Sequence, residues 1–352
     1  MRFDYVALPS RVLFGKGRLG DVADEVRKLG GTRAFVVTTP GHRNLGERIG
    51  ALLGDATAAL HPNAVMHTPV DVTERALDAL QASRADCIVA AGGGSTIGLA
   101  KALALRTDLP QIAIPTTYAG SEVTTMVGET RGGVKRTQRS PKILPEVVVY
   151  DVELTLSLPA ELSATSGMNA IAHAVEALYA PDAHPIAGLM AEEAIGALAR
   201  SLPRIVLDTH DVSARSQAQY GAWLCGTCMA ITMGLHHKIC HVLGGTFDLP
   251  HAQTHAVMLP HVIAYNAAAA PDAMRRIARA LHAVDAISGI EALAASLPIA
   301  RSLEALGMPA SGIERATELA TRDAYPNPRP IERAAIATML ERAWRGAPAA
   351  AS

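Results

Sequence analysis

Cys87-Ile88-Val89-Ala90-Ala91-Gly92-Gly93-Gly94-Ser95 decides the reading of the fold. The apolar run predicts a buried strand. Helical spacing resumes at once and continues to Leu105, with Ser95 or Thr96 as the expected cap. A strand that passes through three glycines into a helix is suited to an anion. Glycine lets the backbone approach a ligand, and the helix N-terminus offers unpaired N–H groups and a partial positive charge. The same arrangement also serves as a bare tight turn, and it is neither the Gly-x-Gly-x-x-Gly fingerprint nor a Walker loop.

Working outward, residues 11 to 17 read as a short strand ended by glycines and Leu19 to Leu29 as a helix. Ala34 to Thr39 is a buried strand, Leu45 to Leu53 a helix, and Val72 to Ser83 a helix capped by Asp71. Ile112 to Pro115 and Val147 to Asp151 are further strands, and Met126 to Arg136 is a hairpin turning at Gly132-Gly133. Strands alternating with helices predict a mostly parallel α/β sheet. After Pro115 come Thr116, Thr117, Tyr118 and Ser121, which bring hydroxyls to the sheet edge where ligands of open sheets bind. Beyond Pro159 alanine-rich helices dominate, with turns at Pro181 to Pro185, Pro203, His210-Asp211 and Tyr325 to Pro330, and a frayed tail from Ala347. The expected architecture is an α/β domain over 1–158 and an all-helical domain over 159–352.

At 352 residues the chain is long enough for two domains, and with 18% charged residues and a net charge of −1 it has no electrostatic bias towards nucleic acid or anionic membrane. No apolar run reaches the ~18 residues that span a bilayer. Met1 to Tyr5 lacks a signal-peptide pattern, so a cytoplasmic enzyme is expected. Cys225-Gly226-Thr227-Cys228 has the spacing of a redox or zinc pair but lies in the apolar run Trp223 to Met233, where core packing is the better reading.

Of thirteen histidines, four fall between Leu235 and His251. His237 and His241 are four apart and share a helix face. Gly244-Gly245 is expected to break that helix, and Pro250 to open the next one, which carries His251. Asn169 and His173 repeat the four-residue spacing within an apolar helix. A lone histidine is usually a satisfied core or surface residue; such a cluster points to a site. Lys238 reads either as a solvated helix residue or as a partner for carboxylates. Tyr118 reads as packing or as a further member of the site.

The loop Gly92-Gly93-Gly94-Ser95 with Lys101, Pro115-Thr116-Thr117 with Gly120-Ser121-Glu122, Asn169 with His173, and the set His237, His241 and His251 together resemble the iron-containing (group III) alcohol dehydrogenase superfamily. The resemblance covers nearly the whole chain. It implies an N-terminal dinucleotide-binding domain and a C-terminal helical domain (the dehydroquinate synthase-like fold), an active site in the cleft between them, and a homodimer. The superfamily's metal-binding alcohol dehydrogenases carry Asp at the positions of Asn169 and Gly98, and Gly-Thr-Gly-Ser in place of Tyr118-Ala119-Gly120-Ser121. The maleylacetate reductases of the superfamily share this chain's changes.

That branch implies hydride transfer from NADH or NADPH to the carbon–carbon double bond of maleylacetate, a small dicarboxylate. His173, His237, His241 and His251, with Asn169, Tyr118 and Lys238, are the implied substrate and proton-donor shell. The resemblance assigns Gly93, Gly94 and Ser95 to the pyrophosphate, Thr116 and Thr117 to the phosphate–ribose side, and Lys142 to the nicotinamide ribose. Thr39 and Ser121 complete the cofactor candidates. No acidic residue follows Thr39, and His42 and Arg43 stand near, so both NADH and NADPH are expected. An amide at Asn169 brings a divalent cation a dipole where an aspartate brings a charge, so no metal is expected to be required. Two alternatives stay open: a metal-dependent alcohol or polyol dehydrogenase with three histidine ligands, and an NAD-binding lyase resembling 3-dehydroquinate synthase.

Overall fold

The computed structural model describes residues 10–132, 134–228 and 234–350. Met1 to Tyr5, Gly133 of the glycine turn, and the end of the apolar run that follows Cys228 lie outside the described residues. The chain divides into two compact units that meet in sequence between Leu158 and Pro159.

In the first unit the strands are β1 (Arg11–Gly15), β2 (Ala34–Val37), β3 (Thr57–His61), β4 (Cys87–Gly92), β5 (Gln111–Pro115), β6 (Met126–Arg131), β7 (Val134–Arg139) and β8 (Val147–Asp151). Its helices are α1 (Val22–Lys28), α2 (Arg43–Leu53), α3 (Val70–Ser83) and α4 (Gly94–Thr107). Six strands form one sheet in the order β1-β8-β5-β4-β2-β3, and every pairing in it is parallel. The chain winds outward from β2 to β3, then returns to β4 and winds the other way to β5. The strand order therefore reverses between β2 and β4, the position where open α/β sheets bind ligands. Ala34, Phe35, Val36, Val37, Ile88 and Val89 are wholly buried, as strands covered on both faces must be. β6 and β7 pair antiparallel with Arg131 opposite Val134, and Gly132 has a φ of 56°.

Three local expectations need correction here. β3 was not foreseen, because Thr-Ala-Ala-Leu-His is half-buried and carries two alanines, which have little strand preference. α3 starts at Val70 with Pro69 as its cap; Asp71 sits inside the first turn and pairs with Arg75 at 2.9 Å. α4 starts at Gly94 with Gly93 as the cap, so neither Ser95 nor Thr96 plays that part.

The second unit is helical: α5 (Ala160–Tyr179), α6 (Pro185–Leu207), α7 (Val212–Cys228), α8 (Leu235–Phe247), α9 (His251–Asn266), α10 (Pro271–Ala280), α11 (Ala286–Ala295), α12 (Gly312–Thr321) and α13 (Arg333–Arg345). α5 is buried along most of its length and packs against α6, α7 and α9, which fits a central helix. Gly167 permits close approach to α6, since a Cβ there would lie 2.6 Å from Leu202 Cδ2. Cys225 and Cys228 are free and buried on α7, and burial pushes both thiols up, in accord with a packing role. Pro203 lies inside α6 and makes no turn there, because Leu202 and Ile205 on either side are fully buried and hold the helix against its neighbours. Residues 347 to 349 are also not frayed: Ala347 N donates to Arg342 O, and Ala349 N to the Glu291 carboxylate. Among the described residues no helix is long and apolar enough to cross a membrane.

His261 on α9 is 6% exposed, and its imidazole is pushed down to about 4 by burial, with Arg342 and Arg301 adding to the effect. The unfolded chain therefore takes up this proton first as pH falls. The associated stability is complete above about 6.5 and is lost as pH drops towards 4. Replacing His261 with Gln should remove about 3 kcal/mol of the acid-side loss of stability, read from urea unfolding at pH 7.5 and pH 4.5.

Candidate active site

Three helices of the second unit each contribute two side chains one turn apart to a single cluster. Asn169 and His173 come from α5, His237 and His241 from α8, and His251 and His255 from α9. The His173 and His237 rings stack with centroids 4.3 Å apart; His237 lies 6.2 Å from His241, and His241 lies 6.2 Å from His251. His255 is 4.3 Å from His251 and 5.0 Å from His237. The expected members His173, His237, His241 and His251 are thus brought together, with Asn169 buried one turn before His173 on α5. Gly244-Gly245 does not break α8, which runs through both glycines and ends at Asp248 in the left-handed region (φ 54°). The break falls where Leu249 buries and Pro250 caps α9.

Behind the rings lies Glu176, 3% exposed on α5. Its carboxylate accepts from Gly234 N at 3.1 Å, His236 N at 2.7 Å and His237 Nδ1 at 2.5 Å. Burial pushes this carboxyl upward, but the facing His237 and the surrounding donors hold it below the usual carboxylate range. With Nδ1–H donated to Glu176, His237 turns Nε2 away from the carboxylate. That Nε2, His173 Nδ1 and Asn169 Oδ1 are all buried without a hydrogen-bond partner. Burial, then the neighbouring rings, push the His173 imidazole well below its ordinary value. Depending on amide orientation, tautomer and protonation, these unmet groups can meet an anionic ligand as donors or a borderline divalent cation as acceptors. A carboxylate behind a histidine is the usual support of a metal ligand.

Lys238 and Tyr118 stand differently. The Lys238 ammonium lies 3.5 Å from the Asp323 carboxylate and over the Tyr325 ring, so its charge is already partnered. It is a part-buried helix residue. Tyr118 is completely buried in the first unit.

The first unit carries the other half of the expected chemistry. Gly92 adopts a φ of 156°, and a Cβ there would strike Thr96 Oγ1; a Cβ on Gly93 would come within 2.9 Å of Thr117 Cγ2. Glycine is required at both, and the loop after β4 touches the loop after β5. Around Gly94 a Cβ would meet open space. No side chain caps α4, and the hydroxyls of Thr38, Thr96 and Thr116 are buried without partners beside the adjacent strands β2, β4 and β5. These unmet groups at the sheet's switch point fit a dinucleotide phosphate. Thr39 Oγ1 shares a hydrogen bond with His42 Nδ1 at 2.9 Å. Ser121 turns its carbonyl to the buried ammonium of Lys101, which also meets Thr124 and Met126. Lys142 is misplaced for a ribose contact: it pairs at 2.9 Å with Asp108, which ends α4. Fourteen helical residues, about 21 Å, separate that end from Gly94.

His255, His236 and Glu176 were not singled out in the sequence. His255 follows His251 by the same four residues that pair the other cluster members, so the signal was present; nothing local marks His236 or Glu176.

The two halves of the chain match two family models, "Iron-containing alcohol dehydrogenase" over residues 9–152 and "Fe-containing alcohol dehydrogenase family, C-terminal" over residues 163–344. The chain belongs to the iron-containing alcohol dehydrogenase family. Within it, the chain is similar to the maleylacetate reductase of Sphingobium indicum, 54% identical over 349 residues with 99% of each chain covered. It is likewise similar to that of Rhizobium sp. strain MTP-10005, 53% identical with 98% of each covered. The crystal structure of maleylacetate reductase from Agrobacterium tumefaciens superposes with a TM-score of 0.96 at 52% identity, covering 99% of both chains.

Substitutions at two positions probe this geometry. Glu176→Leu strands three donors and should cost about 3 kcal/mol or more in chemical denaturation, whereas Glu176→Gln, which keeps an acceptor, should cost clearly less. At Gly98, where the metal-binding branch has Asp, a Cβ would lie 2.7 Å from Thr68 Oγ1, and Thr68 is itself held at a φ of 44°. Gly98→Asp should therefore destabilise by about 1–3 kcal/mol, seen as a lowered melting temperature.

Proposed function

We propose that this chain is a maleylacetate reductase, reducing the carbon–carbon double bond of maleylacetate to give 3-oxoadipate with NADH or NADPH. The observation that carries the reading is 53–54% identity to maleylacetate reductases along nearly the whole chain, with four expected histidines converging in the helical unit. The division at residue 158, with a dinucleotide domain before it and a catalytic domain after, belongs to the same proposal. So does a cytoplasmic homodimer, which sedimentation would test.

A bound reduced nicotinamide supplies the hydride that adds at the carbon beta to the ketone. The residues have three tasks. Gly93, Gly94, Ser95, Thr116 and Thr117, with Thr39 and Ser121, hold the phosphates and riboses. His173, His237, His241 and His251, with Asn169, hold the two carboxylates. One imidazole of this shell donates a hydrogen bond to the ketone oxygen, where negative charge develops as an enolate, and a proton is then delivered to the carbon alpha to the ketone. His237 is best supported for this role, because Glu176 accepts its Nδ1–H at 2.5 Å and fixes the orientation of its ring.

Asn169, His173, His237 and His251 would hold a divalent cation if one binds, and it would polarise the substrate oxygen. The neutral amide of Asn169 weakens that site. Because the enolate needs only hydrogen-bond donors, the reaction as proposed does not require the ion. A metal-dependent alcohol dehydrogenase is the second reading, favoured by the placement of Glu176 behind His237.

In an assay of NADH absorbance with maleylacetate, turnover should survive exhaustive treatment with a chelator; loss of activity that iron or zinc restores would favour the second reading. His237→Ala and His251→Ala should each lower kcat/KM by at least a hundredfold. NADH and NADPH should differ by less than about a thousandfold in kcat/KM, on the order of 4 kcal/mol.

A further inference from the structure

We propose that His255 is a substrate-contacting residue, donating Nε2–H to an oxygen of the bound dicarboxylate, and that His236 is the positioning residue that fixes its tautomer. The inference rests on the reductase reading of the pocket.

His255 is completely buried, and its ring lies within 4.3 Å of His251, 5.0 Å of His237 and 6.2 Å of His173, counted between centroids. It therefore stands inside the shell that holds substrate, on the same α9 face as His251. Its two nitrogens have different surroundings. Nδ1 lies 3.0 Å from His236 Nε2, whereas Nε2 is buried and has no partner.

Each neutral imidazole carries one N–H, and a single proton lies between His236 Nε2 and His255 Nδ1. Two arrangements satisfy this bond. If His255 were the donor, the one N–H of His236 would sit on Nδ1, which is buried without any partner. In the free protein each arrangement strands one buried N–H, at His236 Nδ1 or at His255 Nε2. Of the two rings it is His255 that lies against His173 and His251, where a bound dicarboxylate can meet it. With His236 as donor, its bare Nδ1 carries only a lone pair, and the N–H of His255 moves to Nε2. That hydrogen then faces a group absent from the protein, and an anionic oxygen is the acceptor that completes it. His236 is suited to the positioning role because its backbone N–H is anchored at 2.7 Å to Glu176, the carboxylate that also orients His237. One buried carboxylate thereby sets two imidazoles, one directly and one through the backbone of its neighbour.

Side-chain amides separate this role from simple packing. Gln places its amide nitrogen where Nε2 stands, and Asn can turn its amide oxygen to where Nδ1 stands and accept from His236 Nε2–H. His255→Gln should retain kcat/KM for maleylacetate within about tenfold of the parent. His255→Asn, which can keep the bond to His236, should lose at least a hundredfold through a raised KM, with the melting temperature and the NADH dissociation constant unchanged. The reverse order would mean that His255 only supports His236, and would overturn the proposal. A second measurement does not depend on turnover. In 15N-histidine-labelled protein, long-range proton–nitrogen spectra assigned with His255→Gln should give an Nε2–H tautomer for His255, and succinate should shift its Nε2 resonance. An Nδ1–H tautomer, or no response to saturating succinate, would overturn it. If succinate shifts His255 but the parent protein leaves NADH unconsumed with maleylacetate, the reductase reading fails while the donor role stands. If the parent is active and His255→Asn is equally active, this inference fails alone.

Discussion

The carboxylate of Glu176 is the point on which the helical unit's chemistry depends. A carboxylate buried to 3% exposure is tolerated only when its oxygens are met by donors, and three groups meet these: Gly234 N, His236 N and His237 Nδ1. All three donors belong to the start of α8. The ion thus fastens α8 to α5 at one place and sets the direction in which His236 and His237 leave the backbone. Without it, the first turn of α8 would bury amides with no acceptor.

From that anchor the rest of the site follows by helix geometry. Three helices each carry side chains one turn apart on the face they share, and α5 can be central because small residues let its neighbours close in. The result is a group of polar atoms that the protein does not satisfy itself: Asn169 Oδ1, His173 Nδ1, His236 Nδ1, His237 Nε2 and His255 Nε2. Native interiors rarely leave so many in one place, and a ligand that supplies the missing partners recovers their desolvation cost on binding. The first unit repeats the pattern on a smaller scale with Thr38, Thr96 and Thr116 at the switch of the sheet.

How far these features could be read from sequence follows from how local their signals are. Cys87 to Ser95 announced its strand, turn and helix because burial on both faces and glycine's freedom leave plain marks in composition. The cluster was legible for the same reason, since one-turn spacing is a property of a few adjacent residues. β3 left no mark, being an edge strand of small residues. Gly244-Gly245 and Pro203 misled because packing around Leu243 and Leu202, both fully buried, outweighs a backbone preference of ~1–3 kcal/mol. Lys142 and Lys238 were the least legible. Their partners, Asp108 and Asp323, are distant in sequence, and only the fold assigns them.

The exchange of an acid for Asn169 changes the site more than its size suggests. An aspartate there would put a second carboxylate in a pocket that already holds Glu176. Two like charges in a poorly hydrated volume would demand a cation or a proton. With the amide, the carboxylate of Glu176 is already met by His237 Nδ1 and two backbone amides. The remaining imidazoles then face the pocket without a compensating negative charge. A dianionic substrate meets no repulsion at Asn169, while a bare divalent ion loses its strongest ligand. On the proposed reading the preference between anion and cation is set at Asn169, and Glu176, two turns further along α5 and behind the rings, orients the imidazoles for whichever ligand the amide admits.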